Sequence, residues 1–174
     1  MARWSVVGRV MAVLAARRLP AAPCRVLFLC KGNVCRSPYA EEAARLRSTG
    51  LAGWTFLSAG IDAKRGEATP EVARRVARER GVDLEAHRAR DYLSLRDEPV
   101  DVVFVMEPAQ LVWLAGQRID APAAVLLLGA VSGNPLIPDP YGKSDDEYRR
   151  CFDRIDQSIA CLLDSVRGSR GKAH

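Results

Sequence analysis

Residues that build metal centres are scarce in this chain. Only two histidines occur in 174 residues, and the five cysteines (Cys24, Cys30, Cys35, Cys151, Cys161) form no C-x-x-C pair, so a zinc site has almost no ligands to draw on. An odd number of cysteines at irregular spacings also excludes a disulfide framework and fits reduced thiols in a cytoplasmic protein. The formal net charge is +5, carried mostly by arginine, yet no run of five basic residues and no basic tract interleaved with aromatics appears. Nucleic acid is therefore set aside, and the charge points to other anionic partners such as phosphorylated or acidic peptides. No apolar stretch approaches the ~20 residues that cross a bilayer. The apolar run Val10–Ala16 has seven residues, Arg17-Arg18 follow at once, and Pro23 stands before Cys24 where lipoprotein processing needs a small residue. Residues 1–22 read as a short helix or loose leader rather than an export signal or a membrane anchor.

What is present is ordinary globular material, 48% hydrophobic and 27% charged. Four short apolar segments rich in β-branched residues are expected as strands: Arg25–Leu29, Trp54–Ser58, Val100–Val105 and Ala123–Leu128. Their runs are continuous rather than alternating, which fits strands covered on both faces, as in a parallel sheet. Helical patterns separate them. Ser37-Pro38 opens one, with Ser37 as a capping hydroxyl; Thr69-Pro70 opens the next, which ends at Gly81; a third begins near Pro108. The last starts at Ser144-Asp145-Asp146-Glu147, the spacing of a capping box, and repeats apolar residues at Tyr148, Phe152, Ile155, Ile159, Leu162 and Val166. Such alternation predicts an α/β fold, a doubly wound four-stranded parallel sheet flanked by helices. One domain is expected over 23–167, with a tail at 168–174.

In doubly wound folds ligands sit beyond the carboxyl ends of the strands. The first strand runs directly into Cys30-Lys31-Gly32-Asn33-Val34-Cys35-Arg36-Ser37-Pro38. A strand, a glycine-containing turn and a helix N-terminus make an anion cradle, because successive backbone N–H groups and the helix dipole converge. The same field stabilises the thiolate of a cysteine at its start. Arg36, six residues on, can grip two phosphoryl oxygens with its planar fork. Attack on a phosphate ester dianion needs both parts, a reactive anion and neutralisation of the phosphoryl oxygens. The blander alternative makes Cys30 a small buried hydrophobe and Arg36 a solvated charge. It leaves Gly32 and Asn33, suited to tight or left-handed turns, without a purpose. After the fourth strand, Ile137-Pro138-Asp139-Pro140-Tyr141-Gly142 holds one carboxylate between two prolines. Asp139 is either a turn residue or an acid that protonates a departing phenolate, and the residues alone weigh these evenly.

Cys30–Pro38 closely resembles the phosphate loop of low-molecular-weight protein-tyrosine phosphatases. The resemblance continues through Ser58-Ala59-Gly60, His87-Arg88-Ala89-Arg90, Val105-Met106-Glu107 and Ile137–Gly142, and spans the chain from Arg25 to about Val166. It is nearest to the bacterial branch acting on tyrosine autokinases that control capsule and exopolysaccharide export. The resemblance implies hydrolysis of protein phosphotyrosine through a cysteinyl-phosphate on Cys30, with Arg36 as phosphate clamp and Asp139 as general acid. It implies substrate contacts by Lys31, Gly32, Asn33, Val34 and Cys35 of the loop and by Tyr141, which stacks on the substrate ring. Asn33, Ser58 and His87 resemble the hydrogen-bond network that holds the loop, and Ser37 can donate to the Cys30 thiolate as well as cap the helix. No cofactor and no metal are implied. Cys35 is either simple packing or a partner for a reversible disulfide with Cys30.

Three alternatives are open. Arsenate reductases share the loop but relay electrons through two further cysteines after the third strand, whereas Ala59 to Ala124 holds none. Protein-arginine phosphatases resemble the loop with threonine at the position of Val34. A phosphotyrosine-binding scaffold without activity is the third, and it leaves the joint presence of Cys30, Arg36 and Asp139 unexplained. Departures from the family pattern lie at Lys31, where an apolar residue is usual, at Lys64-Arg65, in place of an aromatic wall, and at Gly142, in place of a second aromatic. Together they imply a shallower, more basic mouth.

Overall fold

The computed structural model describes residues 24–95, 98–117 and 124–170. The expected leader at 1–22 lies outside the described residues. Four strands form, β1 (Cys24–Cys30), β2 (Trp54–Gly60), β3 (Val102–Val105) and β4 (Ala124–Leu127), with helices α1 (Arg36–Arg47), α2 (Glu71–Arg78), α3 (Pro108–Ala115) and α4 (Asp145–Arg170) between and after them. All strand pairs are parallel and the order is β2-β1-β3-β4, the doubly wound arrangement expected from the apolar runs.

Parallel strands need a helix on each face, and the residues of β1 divide accordingly. Val26, Phe28 and Cys30 face the larger core with α1, α2 and α4, while Leu27 and Leu29 face a smaller one with Tyr92, Leu111 and Trp113. Phe28 stacks between Phe56 and Phe104, with ring centroids 6.3 and 5.9 Å away, which ties β2, β1 and β3 together on the larger face. The apolar stripe of α4 is buried throughout, from Tyr148 to Val166. Burying a side chain of this size contributes about 1.5–3 kcal/mol, so six of them make α4 the main closure of the core. Tyr39 of α1 stacks on Phe152 at 3.8 Å and donates its hydroxyl to Asp156, tying the helix behind the first loop to α4.

Several boundaries differ from the sequence expectation. Ser37 does not cap α1: the N-cap is Cys35, no side chain caps it, and the Ser37 hydroxyl turns toward Cys30 instead. The capping box lies at Glu107 and Gln110, opening α3. At Ser144 it is the main-chain carbonyl that accepts, from the Glu147 and Tyr148 N–H groups at 3.0 and 3.2 Å. Helix α2 ends at Arg78, three residues before Gly81, and α4 runs on to Arg170, through the first part of the expected tail. No helix among the described residues is long and apolar enough to cross a membrane.

Candidate active site

The end of β1 and the start of α1 are separated by five residues, Lys31 to Cys35, and the loop they form is closed by one unusual conformation. Asn33 has φ +52, the left-handed region, where asparagine is tolerated better than most residues because its short side chain bonds locally. That turn brings the Asn33 N–H to 3.3 Å from the Cys30 Sγ. Ser37 Oγ lies 3.0 Å from the same sulfur. Ser37 also accepts from Asn33 Nδ2 at 2.9 Å and reaches the Ala59 carbonyl at 3.1 Å. One hydroxyl proton cannot serve both the thiolate and the carbonyl. With a thiol, the S–H donates to Ser37, which donates to Ala59; with a thiolate, the hydroxyl rotates to the sulfur.

Behind the loop a buried network fixes its position. Asn33 Nδ2 donates to Ser58 Oγ at 2.9 Å, Ser58 donates to Glu41 Oε2 at 2.6 Å, and Asn33 Oδ1 accepts from the Arg90 N–H at 2.9 Å. His87 Nε2 lies 2.8 Å from the Asn33 carbonyl, which can only accept, so the proton sits on Nε2. Burial holds the His87 pKa below its ordinary value of 6.5, against the opposing pull of that hydrogen bond. Asn33 is fully buried and its side chain serves the loop, not the wall of the cleft. Glu41, absent from the sequence reading, and Arg90, whose segment His87-Arg88-Ala89-Arg90 had been marked without a role for it, complete the network.

A second element crosses from the carboxyl end of the sheet. The Ile137 N–H is held by the Met106 carbonyl at 3.0 Å, and from there the two prolines place Asp139 over the cradle. Arg36, only 1% exposed, reaches it: Nη2 donates to Asp139 Oδ2 at 2.6 Å, and Nη1 bonds Glu107 and, at 3.0 Å, the Ile137 carbonyl. Burial works against the guanidinium charge, but Cys30, Asp139 and Glu107 together outweigh it and hold the pKa above the ordinary value. Its Nε–H is buried without an acceptor. Glu107 was also missed by sequence reasoning, although Val105-Met106-Glu107 had marked its segment.

Cys30, Lys31, Gly32, Val34, Cys35, Arg36, Asp139 and Tyr141 all line one cleft of about 590 Å³. Lys64 lines it as well, Lys143 joins it, and Arg65 does not, which corrects the expected basic rim by one residue on each side. Tyr141 is 57% exposed at the mouth. All five cysteines are buried free thiols. Burial pushes the Cys35 thiol up to about 12, opposed by its contact with the Tyr148 hydroxyl at 3.6 Å, so Cys35 is neutral at physiological pH and is no rival nucleophile.

An anion cradle with a thiol at its floor, a buried arginine fork and an overhanging carboxylate can transfer a phosphoryl group. Residues 25–171 match the profile of the family described as low molecular weight phosphotyrosine protein phosphatase. The chain belongs to that family. This low-molecular-weight protein-tyrosine phosphatase, a phosphoric monoester hydrolase, is 30% identical to the phosphatase Wzb of Salmonella typhi over 148 residues, covering 85% of this chain and 97% of that one. Its fold matches Wzb of Escherichia coli K30, solved with sulphate, at a TM-score of 0.71 and 30% identity, over 80% of this chain and 96% of that one. It also matches the YwlE arginine phosphatase of Geobacillus stearothermophilus at a TM-score of 0.77 and 26% identity, over 87% and 98% of the two chains.

Proposed function

We propose that the phosphatase removes phosphate from protein phosphotyrosine through a covalent cysteinyl-phosphate on Cys30. The observation that carries the reading is the linkage of Asp139 to Arg36 at 2.6 Å across the cleft that Cys30 floors. Nη2 and the unpartnered Nε–H lie on one edge of the guanidinium, the edge that can take two phosphoryl oxygens. A dianion arriving there displaces the carboxylate and leaves Asp139 beside the bridging oxygen. The Cys30 thiol gives up its proton to Asp139, the thiolate attacks phosphorus as the P–O bond to the phenol breaks, and Asp139 passes that proton to the departing oxygen. Water then attacks the S–P bond's phosphorus. Asp139 takes the water proton, hydrogen phosphate leaves, and the Cys30 thiolate returns.

Backbone N–H groups of residues 31–36 and Arg36 neutralise the phosphoryl oxygens, Tyr141 stacks on the phenol ring, and Ser37 stabilises the thiolate. Asn33, Ser58 and His87 position the loop. The protein partner is a phosphotyrosine protein, and the resemblance to the capsule and exopolysaccharide branch makes the tail of a tyrosine autokinase the favoured one, in the cytoplasm.

The likeness to an arginine phosphatase favours phosphoarginine as a second reading. Against it, Val34 lines the cleft at the position where the arginine phosphatases resemble this loop with a threonine, and it offers no hydroxyl there. Release of phosphate from phosphotyrosine and phosphoarginine peptides, measured side by side, tests the choice: phosphotyrosine should win by at least tenfold. Cys30→Ser should lose turnover and still bind phosphotyrosine peptide. A variant retaining a tenth of wild-type kcat would overturn the nucleophile assignment.

A further inference from the structure

Lysine is rare here and its placement is uneven. The chain holds 26 basic residues, of which four are lysines: Lys31, Lys64, Lys143 and Lys172. Three of those four line the catalytic cleft, and Lys172 lies outside the described residues. The cleft contains a single arginine, Arg36, at its floor. Among the described residues most other arginines are engaged by carboxylates, as Arg45 is by Glu41, Arg80 by Asp153 and Arg149 by Glu79, while Arg88 and Arg154 bond main-chain carbonyls. Lys31, Lys64 and Lys143 are exposed and have no ion-pair partner among the described residues. The three come from three different segments of the lining, the phosphate loop, the turn after β2 and the end of the acid loop.

We propose that these three lysines select phosphotyrosines flanked by acidic residues. The inference rests on the phosphotyrosine reading above. An unpaired ammonium at the rim keeps its charge for an incoming peptide, and its flexible stem with three donors can meet carboxylates at varied positions. Arginine would be the wrong choice there. Its fork grips a phosphoryl group in bidentate fashion and would offer the substrate a rival seat outside the cradle. Four carboxylates line the cleft: Glu107 and Asp139 are engaged by Arg36, and Asp62 and Glu67 flank Lys64 in sequence. Lys143 shares its segment with Asp139, whose carboxylate is taken by Arg36, so its ammonium stays available to an acidic residue of the peptide.

The test compares kcat/KM for phosphotyrosine peptides carrying glutamate, glutamine or lysine at the flanking positions. An exposed ion pair contributes about twofold, so three give roughly tenfold for glutamate over glutamine at low salt. At about 0.5 M salt the Debye length shrinks to a few ångströms and the ratio should fall below about threefold. Lys64→Met/Lys143→Met should cut the low-salt ratio by about fourfold, and Asp62→Asn/Glu67→Gln should widen it. The same ratios are read as Kd with Cys30→Ser, which needs no turnover. If the wild-type protein released phosphate from neither phosphopeptide nor aryl phosphate, the phosphatase reading would fall, and the affinity ratio would decide the lysine inference by itself. Equal kcat/KM and equal Kd for glutamate and lysine peptides at low salt would overturn it, as would a ratio that the double lysine variant leaves intact.

Discussion

Gly60, the last residue of β2, tests how tightly the catalytic loop is placed by the sheet. A Cβ built there would lie 2.6 Å from the Lys31 carbonyl oxygen, 2.9 Å from the Asn33 nitrogen and 2.9 Å from Ala63 Cβ. Two of these three neighbours are backbone atoms of the phosphate loop, so no side chain can rotate out of the way. Restoring even a tight contact of 3.0–3.4 Å moves the Lys31 carbonyl by about 0.4–0.8 Å in Gly60→Ala. Because Lys31 follows Cys30, the proposed nucleophile, and Asn33 directs an N–H at its sulfur, that displacement reaches the Cys30 Sγ. Overpacking of this kind costs about 1–3 kcal/mol of stability. A misplacement near 1 Å costs up to ~10²-fold in rate, so a loss of about 10- to 100-fold in kcat is expected. The assay is kcat on an aryl phosphate per folded molecule, well below a melting temperature measured by circular dichroism. A variant melting earlier but turning over within twofold of wild type would refute the claim that this close approach sets the thiolate's position.

Asp139→Asn should lose roughly 10²–10⁴-fold on phenolic esters and much less on esters of strongly acidic phenols, which leave without a proton; an equal loss on both would count against the general-acid role. Asn33→Ala should destabilise by about 1–3 kcal/mol, because the Arg90 N–H and Ser58 lose a partner, whereas Asn33→Gly should recover only the left-handed backbone share, about 1 kcal/mol; thermal melts of the two check this. The His87 pKa is held below 6.5 in the folded chain, so the unfolded chain binds its proton first as pH falls. Its contribution to stability is therefore complete above pH 6.5 and declines below it, and His87→Gln should flatten that part of the pH–melting curve. Iodoacetamide at neutral pH should label Cys30 while Cys35 stays unmodified, since its thiol is held up to about 12; peptide mass spectrometry reads the site.

The sheet and the catalytic loop were legible because their signals are local. Continuous apolar runs mark β1 to β4, and a cysteine, a glycine and an arginine between a strand and a Ser-Pro step mark an anion cradle. The supporting carboxylates were not legible, because their partners are distant along the chain. Glu41 meets Ser58 across 17 positions and Glu107 meets Arg36 across 71. Nothing near either residue announces burial, although Glu41 has a weak cue in its place beside the buried Tyr39, Ala40, Ala43 and Ala44. Of the two uses expected for Ser37, the contact with Cys30 forms and the cap does not. Its hydroxyl has two rival uses, one in its own helix and one on the sulfur seven residues earlier, and only the folded loop decides for the sulfur.

The pairing of Arg36 with Glu107 and Asp139 has a further consequence for which anions the phosphatase ignores. In the resting molecule the fork is already neutralised from within, so an arriving ion competes with carboxylates tethered at high local concentration. A singly charged ion offers the guanidinium no more than Asp139 already does. A phosphate monoester offers two charges and oxygens spaced for both Nε–H and Nη2–H, and so displaces the tether. Phosphate diesters, with one charge and a second substituent on phosphorus, fall on the losing side of that exchange. On the proposed reading of Arg36 as the clamp, the intramolecular anion would set a threshold, holding off chloride, bicarbonate and diesters and yielding to a monoester dianion.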